Sequence, residues 1–226
     1  VSATGATLIQ PDGTIVTAPI DAAVLAVSPT VDRAVIRTGT TAQLIDPTGG
    51  ANVADLTGDV SLAAFGGERF VTVADDTIGV HDVSDGSIVA TGDVTPAPVA
   101  IGARGDTVVT AAADGSVTWW QPDGRGDLVA TGEPVETGEI GEIAGLAIGP
   151  DGRRALLVGS EASALVDSLE TTSLLDGATG ELTVDPTLRF GAIGGTELTI
   201  WDLARGERVI DATDEVIAMA WSACDG

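Results

Sequence analysis

Tyrosine and lysine are absent from this chain of 226 residues, and cysteine, histidine and methionine occur once each. Each absence removes chemistry. Without tyrosine there is no phenolic nucleophile. Without lysine there is no Schiff base and no phosphate-gripping lysine of a P-loop. Cys224 alone forms no intramolecular disulfide and no cysteine zinc site of the usual spacing. A Ser-His-Asp triad would have to use His81, and no G-x-S-x-G surrounds any serine. The only asparagine is Asn52. No run of 18 apolar residues offers a membrane span. No signal peptide is expected within these residues, and the start at Val1 is the expectation for a processed protein or an excised segment.

Basic residues are scarce as well: 34 acidic side chains face 10 basic ones, all arginine, for a net charge of −24. Such a surface repels nucleic acid and anionic lipid headgroups. It reads first as a solvated acidic surface of a high-GC-encoded protein, and second as a surface for a cationic partner. What is abundant is glycine, at 30, with 10 prolines and an apolar set dominated by Ala, Val, Ile and Leu. Turn formers and β-branched residues together predict many short strands joined by tight turns.

A repeat runs through the chain. Six apolar runs end in Asp or Gln followed by a turn: TLIQPDG (7–13), QLIDPTGG (43–50), GVHDVSDG (79–86), TWWQPDG (118–124), SLLDGATG (173–180) and TIWDLARG (199–206). The aligned polar residues are Gln10, Asp46, Asp82, Gln121, Asp176 and Asp202, spaced by 36, 36, 39, 55 and 26 residues. Each is preceded by a landmark residue: Ile9, Ile45, His81, Trp120, Leu175 and Trp201. Between landmarks come a short strand, a small-residue strand such as VSLAAFGG (60–67), and a third strand such as RFVTVADD (69–76); the landmark strand is the fourth. Four short strands about every 38 residues predict an all-β, six-bladed β-propeller with four-stranded blades, one domain over 1–226. The N-terminal ATLIQ (6–10) and C-terminal VIAMAWS (216–222) are expected to complete one blade together, hiding exposed edges. A truncated or irregular seven-bladed ring is the alternative.

On these motifs the chain resembles WD40-type and YVTN-type propellers. TIWDLARGERV (199–209) matches a closing strand and turn, and GPDGRRALLVG (149–159) the turn between inner strands. The Gly-His dipeptide of WD40 repeats is missing, so their His–Asp network cannot form; the blades are expected to rely on apolar packing. Two repeats are irregular. EASALVDSLETT (161–172) reads as an extra, weakly helical stretch before the fifth landmark, and the next blade lacks an obvious strand between ELTV (181–184) and LRFGAI (188–193), as a deletion would leave it.

The residues that enzymatic propellers use are missing: tyrosine with an arginine triad, several histidines with calcium, or Glu, Asn and Asp around a metal. What survives is carboxylates. Glu133, Glu136, Glu139 and Glu142 cluster in GEPVETGEIGEI, but their spacing matches no calcium loop. The turns ADD (74–76) and HDVSDG (81–86) lack the D-x-D-x-D-G spacing. Arg-Gly-Asp triplets at 104–106 and 125–127 fall where the repeat demands turns, and are read as turns rather than adhesion motifs. Trp119, Trp221 and His81 are read first as core; Trp119, if exposed, is the candidate partner anchor. No catalytic residue, cofactor or metal site is assigned. The expectation is a non-catalytic module for protein interaction, sensing or scaffolding, with a protein partner. The resemblance places it in a membrane-anchored bacterial envelope protein, extracytoplasmic rather than cytoplasmic. The alternative is a carboxylate-based hydrolase or carbohydrate-binding propeller.

Overall fold

Apolar stretches of five or six residues alternate with turns rich in Gly, Asp and Ser, so each strand finds its partner one turn away. In this computed structural model residues 7–9, 15–17, 22–30, 32–168, 172–175, 179–185, 189–194, 198–205 and 207–212 are described; among them every regular element is a strand and none is a helix. A first sheet pairs β1 (Thr7–Ile9) with β2 (Ile15–Thr17). The second holds β3 (Ala22–Val27), β4 (Ala34–Thr38), β5 (Thr41–Asp46) and β6 (Ala51–Leu56). The third holds β7 (Val60–Phe65), β8 (Arg69–Ala74), β9 (Thr77–Asp82) and β10 (Ile88–Asp93). The fourth holds β11 (Pro98–Arg104), β12 (Thr107–Ala112), β13 (Ser116–Pro122) and β14 (Leu128–Ala130), with β15 (Val135–Glu136) also paired to β13. The fifth holds β16 (Ile143–Ile148), β17 (Arg154–Gly159), β18 (Ser163–Asp167) and β19 (Thr172–Leu175). The sixth holds β20 (Glu181–Val184), β21 (Phe190–Gly194), β22 (Leu198–Asp202) and β23 (Glu207–Ala212).

The chain forms two compact units: Val1–Ala97 with Gln121–Val129, and Pro98–Trp120 with Ala130–Gly226. In the first, β3 lies beside β7, and Val35, Leu44, Leu56, Val60 and Phe70 fill the space between the second and third sheets. In the second, β11 lies beside β16 and β16 beside β20; Val109, Trp119, Ile148, Leu157 and Val166 form one core, and Leu156, Val158, Ile193 and Leu203 another. Strands β4, β8, β12 and β17 carry consecutive buried residues instead of alternating ones, apolar apart from Thr72, Thr110 and Gly159. A bulge recurs at the same place in three sheets, where Ser61, Val99 and Ala144 are the extra residues opposite β8, β12 and β17; the second sheet has its bulge at Leu25, two residues further along β3. Such a bulge adds twist to a short strand. Strand β20 has none, being only four residues long.

Three expectations are corrected. The landmark strand is third in its sheet, because the strand after it (ANVADL, or IVATGD) returns through a tight hairpin to pair with it. EASALVDSLETT holds strand β18 instead of a helical insertion: Ser163 to Val166 are consecutive buried residues with no helical spacing. The fifth landmark is accordingly Val166-Asp167, and Leu175 belongs to the outer strand β19. With Asp167 in place, the last two spacings become 46 and 35 residues. The sixth sheet also lacks nothing, since ELTV itself pairs with β21 as the first strand. The terminal closure lies outside the described residues, apart from Thr7–Ile9, which pairs with β2.

Candidate functional site

The landmark aspartates build the ends of the sheets. Asp46 Oδ1 accepts from the Thr48 and Gly49 N–H groups, Asp82 Oδ1 from Ser84 N–H, and Asp202 Oδ1 from Ala204 and Arg205 N–H. These Asx turns start the hairpin to the outer strand. The other oxygen faces an arginine from the second strand: Arg69 bonds Asp82, Arg154 lies 3.4 Å from Asp167, and Arg189 lies 3.6 Å from Asp202. Arg33 is near enough to Asp46 to help hold its carboxyl below the usual range, after the larger effect of the Thr48 hydroxyl. In every case the arginine precedes its aspartate by 13 residues. That spacing was available in the sequence and would have singled out Asp167.

The expected reliance on apolar packing is also incomplete. His81 Nε2 lies 2.9 Å from Thr72 Oγ1, and Trp120 Nε1–H donates to Thr110 Oγ1 at 2.9 Å. In both sheets the threonine sits two residues beyond the one paired with the landmark. Apolar landmarks meet apolar residues there: Ile45 is matched by Ile36, and Val166 by Leu157. Trp201 is the exception. Its equivalent position is Ile193, and Trp201 Nε1 and Thr199 Oγ1 have no hydrogen-bond partner among the described residues.

Trp119 points the other way from Trp120. It is 6% exposed, and its indole N–H donates to the Gly152 carbonyl at 3.1 Å. It is a core residue and presents no exposed indole to a partner. Trp221 and Cys224 lie outside the described residues. Residues 104–106 form the β11–β12 hairpin, with Gly105 and Asp106 between the paired Arg104 and Thr107. Around 125–127, Asp123 accepts from the Arg125 and Asp127 N–H groups, and the Gly126 carbonyl accepts from Thr91 N–H at 3.0 Å. Both triplets occupy turns.

The glutamate-rich stretch frames a cleft of about 660 Å³ in the second unit, lined by Asp114, Glu136, Glu139, Glu142 and Glu161 among others. Its walls are fixed by backbone bonds. Thr137 N–H and Oγ1–H both donate to the Gly115 carbonyl, and the Ile140 carbonyl accepts from Glu161 and Ala162 N–H. Ser160 closes a pair with Glu142, donating its N–H to the Glu142 carbonyl and accepting from Glu142 N–H. Val135 and Ile140 are buried while all five carboxylates are exposed. Asp114 also accepts from Ser116, whose hydroxyl is the main cause holding its carboxyl below the usual range. Glu133 is exposed and stands outside the cleft lining. Among the described residues, no three His, Cys, Asp or Glu side chains gather as a metal site requires. The buried carboxylates serve turns: Asp185 accepts from Phe190 N–H, and Asp202 from Ala204 and Arg205.

No family model matches the chain, and no curated protein matches it. Among solved structures, hydrazine synthase from Kuenenia stuttgartiensis aligns over 82% of this chain with a TM-score of 0.59 and 15% identity. The alignment takes in 64% of the neighbour, so this chain spans less than two thirds of that protein's length. The neighbour contains a β-propeller. At this identity the likeness is one of fold: an all-β chain of four-stranded antiparallel sheets with a propeller-like relative.

Proposed function

We propose that the chain is a WD40-like β-propeller, its sheets the blades of a six-membered ring, and that it acts as a non-catalytic module for protein interaction, sensing or scaffolding. The proposal includes an extracytoplasmic place within a larger bacterial envelope protein. The observation that carries it is the division of labour among carboxylates. Those lining the cleft are exposed, on turns and on the short strand β15, and pinned from behind, a display geometry; the buried Asp185 and Asp202 are engaged in turns. Catalytic acids and bases are instead commonly desolvated in a pocket.

The test is capture of partners from an envelope fraction by the immobilised chain, followed by calorimetry with the purified partner. Saturable binding that weakens about tenfold or more in the Glu136→Gln, Glu139→Gln, Glu142→Gln triple variant supports the reading, that factor corresponding to about 1.4 kcal/mol. Turnover of glycoside or ester substrates that the triple variant abolishes would replace it with a hydrolase. Absence of any saturable partner at micromolar concentration would end it.

A further inference from the structure

His81 is the one histidine in the chain, and histidine is the side chain that ordinarily changes charge between pH 5 and 8. It is 4% exposed and stacked on Phe70, with ring centroids 4.7 Å apart and planes 14° from parallel. Its partners assign its tautomer. The Gly86 carbonyl, 3.1 Å from Nδ1, can only accept, so Nδ1 carries the hydrogen. Nε2 is then the acceptor for the Thr72 hydroxyl. The chain of bonds runs from β8 through β9 into the turn before β10. Gly79 leaves room for it: a Cβ there would stand 2.7 Å from His81 Nε2. The turn at the far end is seated on the preceding sheet, where a Cβ on Gly86 would stand 2.5 Å from Ala54 Cβ.

Protonation breaks the Thr72 half of this arrangement and strengthens the Gly86 half, because the Nδ1–H of an imidazolium is the better donor. Nε2 becomes a donor, the Thr72 hydroxyl must rotate away, and a charge forms in a site with little water. Few charges are placed to compensate. Asp75 shares the groove of about 260 Å³ in front of His81 with Thr57, Thr72, Thr77 and Thr91. Asp93 is on the same face of the sheet as His81 but pairs with Thr77, four residues from His81 along β9. Asp82 alternates to the opposite face and bonds Ser84 and Arg69, while Asp85 bonds Ser87 in the turn. The second sheet meets the turn with Ala54 and Leu44. The Phe70 face favours a cation, but burial outweighs it: burial holds the His81 pKa below its ordinary value, against the upward pull of the Gly86 carbonyl.

We propose that His81 is an acid-sensitive latch between β8 and β9, and that its protonation breaks the bond to Thr72, keeps the bond to Gly86, and places a charge against Phe70 that loosens the third sheet where it packs on the second. The sign follows from linkage. A base whose pKa falls on folding stabilises the fold fully above its unfolded pKa, and that contribution is lost as pH falls below about 6.5 toward the folded value.

The single imidazole resonance of the intact chain, followed by NMR from pH 8 to 4.5, gives the titration directly. Hydrogen exchange at the β8 and β9 amides around Thr72 and His81, expressed as protection factors to remove the intrinsic pH dependence, gives the loosening, and denaturant unfolding at pH 7.5 and 5 gives the linkage. The comparison variant is His81→Trp, which copies the Trp120–Thr110 pair and does not titrate. Expected are a folded His81 pKa below 6.5, protection factors around Thr72 and His81 that fall on acidification ahead of those in the 83–87 turn, and a folded-to-unfolded ratio that drops several-fold more in the native chain than in His81→Trp, at most about 30-fold. A pKa at or above 6.5, uniform exchange, or equal pH dependence in both chains would overturn the latch. The NMR and exchange measurements need no variant, so a failure of His81→Trp to fold leaves the decision with them.

Discussion

At the residue scale, the ring-nitrogen-to-threonine bond is the local device that ties a landmark side chain to the neighbouring strand. Thr110 gives Trp120 an acceptor on the neighbouring strand, and valine in its place keeps the shape but leaves the indole N–H unsatisfied. Thr110→Val is expected to cost about 1–2 kcal/mol, the range for stranding a buried donor. In a Trp120→Phe background, where no N–H is left to satisfy, the same change should cost close to nothing. Urea unfolding of the four chains of this cycle gives the coupling, and a coupling near zero would reduce the bond to an incidental contact. Trp201, with Ile193 where the threonine would be, shows the device missing within the same molecule.

At the scale of elements, the arginine–aspartate pair and its Asx turn are what make one sheet end like another. Asp46, Asp82, Asp85 and Asp114 have carboxyl pKa values held below normal, chiefly by hydroxyl donors from Thr48, Ser84, Ser87 and Ser116. Their contribution is therefore complete above the ordinary carboxyl pKa of 3.8 and is lost as pH falls through the lower folded values. Unfolding midpoints should hold against this effect from pH 8 to 5 and drop below pH 4. Asp82→Asn, which keeps the turn acceptor, should flatten part of the acid drop; Asp82→Ala should weaken the fold at every pH. Asp202 is buried and serves two N–H groups, so Asp202→Ala should cost about 1–3 kcal/mol. An Asp202→Ala chain as stable as the parent would show that the turn forms without its acceptor.

At the scale of the whole chain, charge dominates. With a net charge of −24, exposed carboxylates repel one another far more often than they meet one of the ten arginines. Added salt screens that repulsion, the Debye length falling from about 30 Å at 0.01 M to about 8 Å at 0.15 M. The melting temperature should rise across this range by a few degrees; a fall would mean that the arginine–aspartate pairs outweigh the net charge. A basic partner should associate more slowly over the same range, because screening removes its steering.

What the sequence determined by itself is the class and period of the structure. Short β-branched runs, glycine turns and repeated polar residues at 46, 82 and 121, with 202 two repeats further on, read as strands recurring at near-equal intervals, because each run is too short to bury its own faces. The Arg-to-Asp spacing of 13 residues carried the finer alignment as well, since two antiparallel strands joined by a tight hairpin fix that separation. Tertiary structure alone decided the rest. Which of two flanking hairpins a landmark strand joins, and hence that it is third in its sheet, follows from strand pairing. Whether Trp119 faces solvent or core, and whether the glutamates of 133–142 converge or spread, depends on packing against residues distant in sequence, such as Gly152 and Glu161, that no local pattern contains.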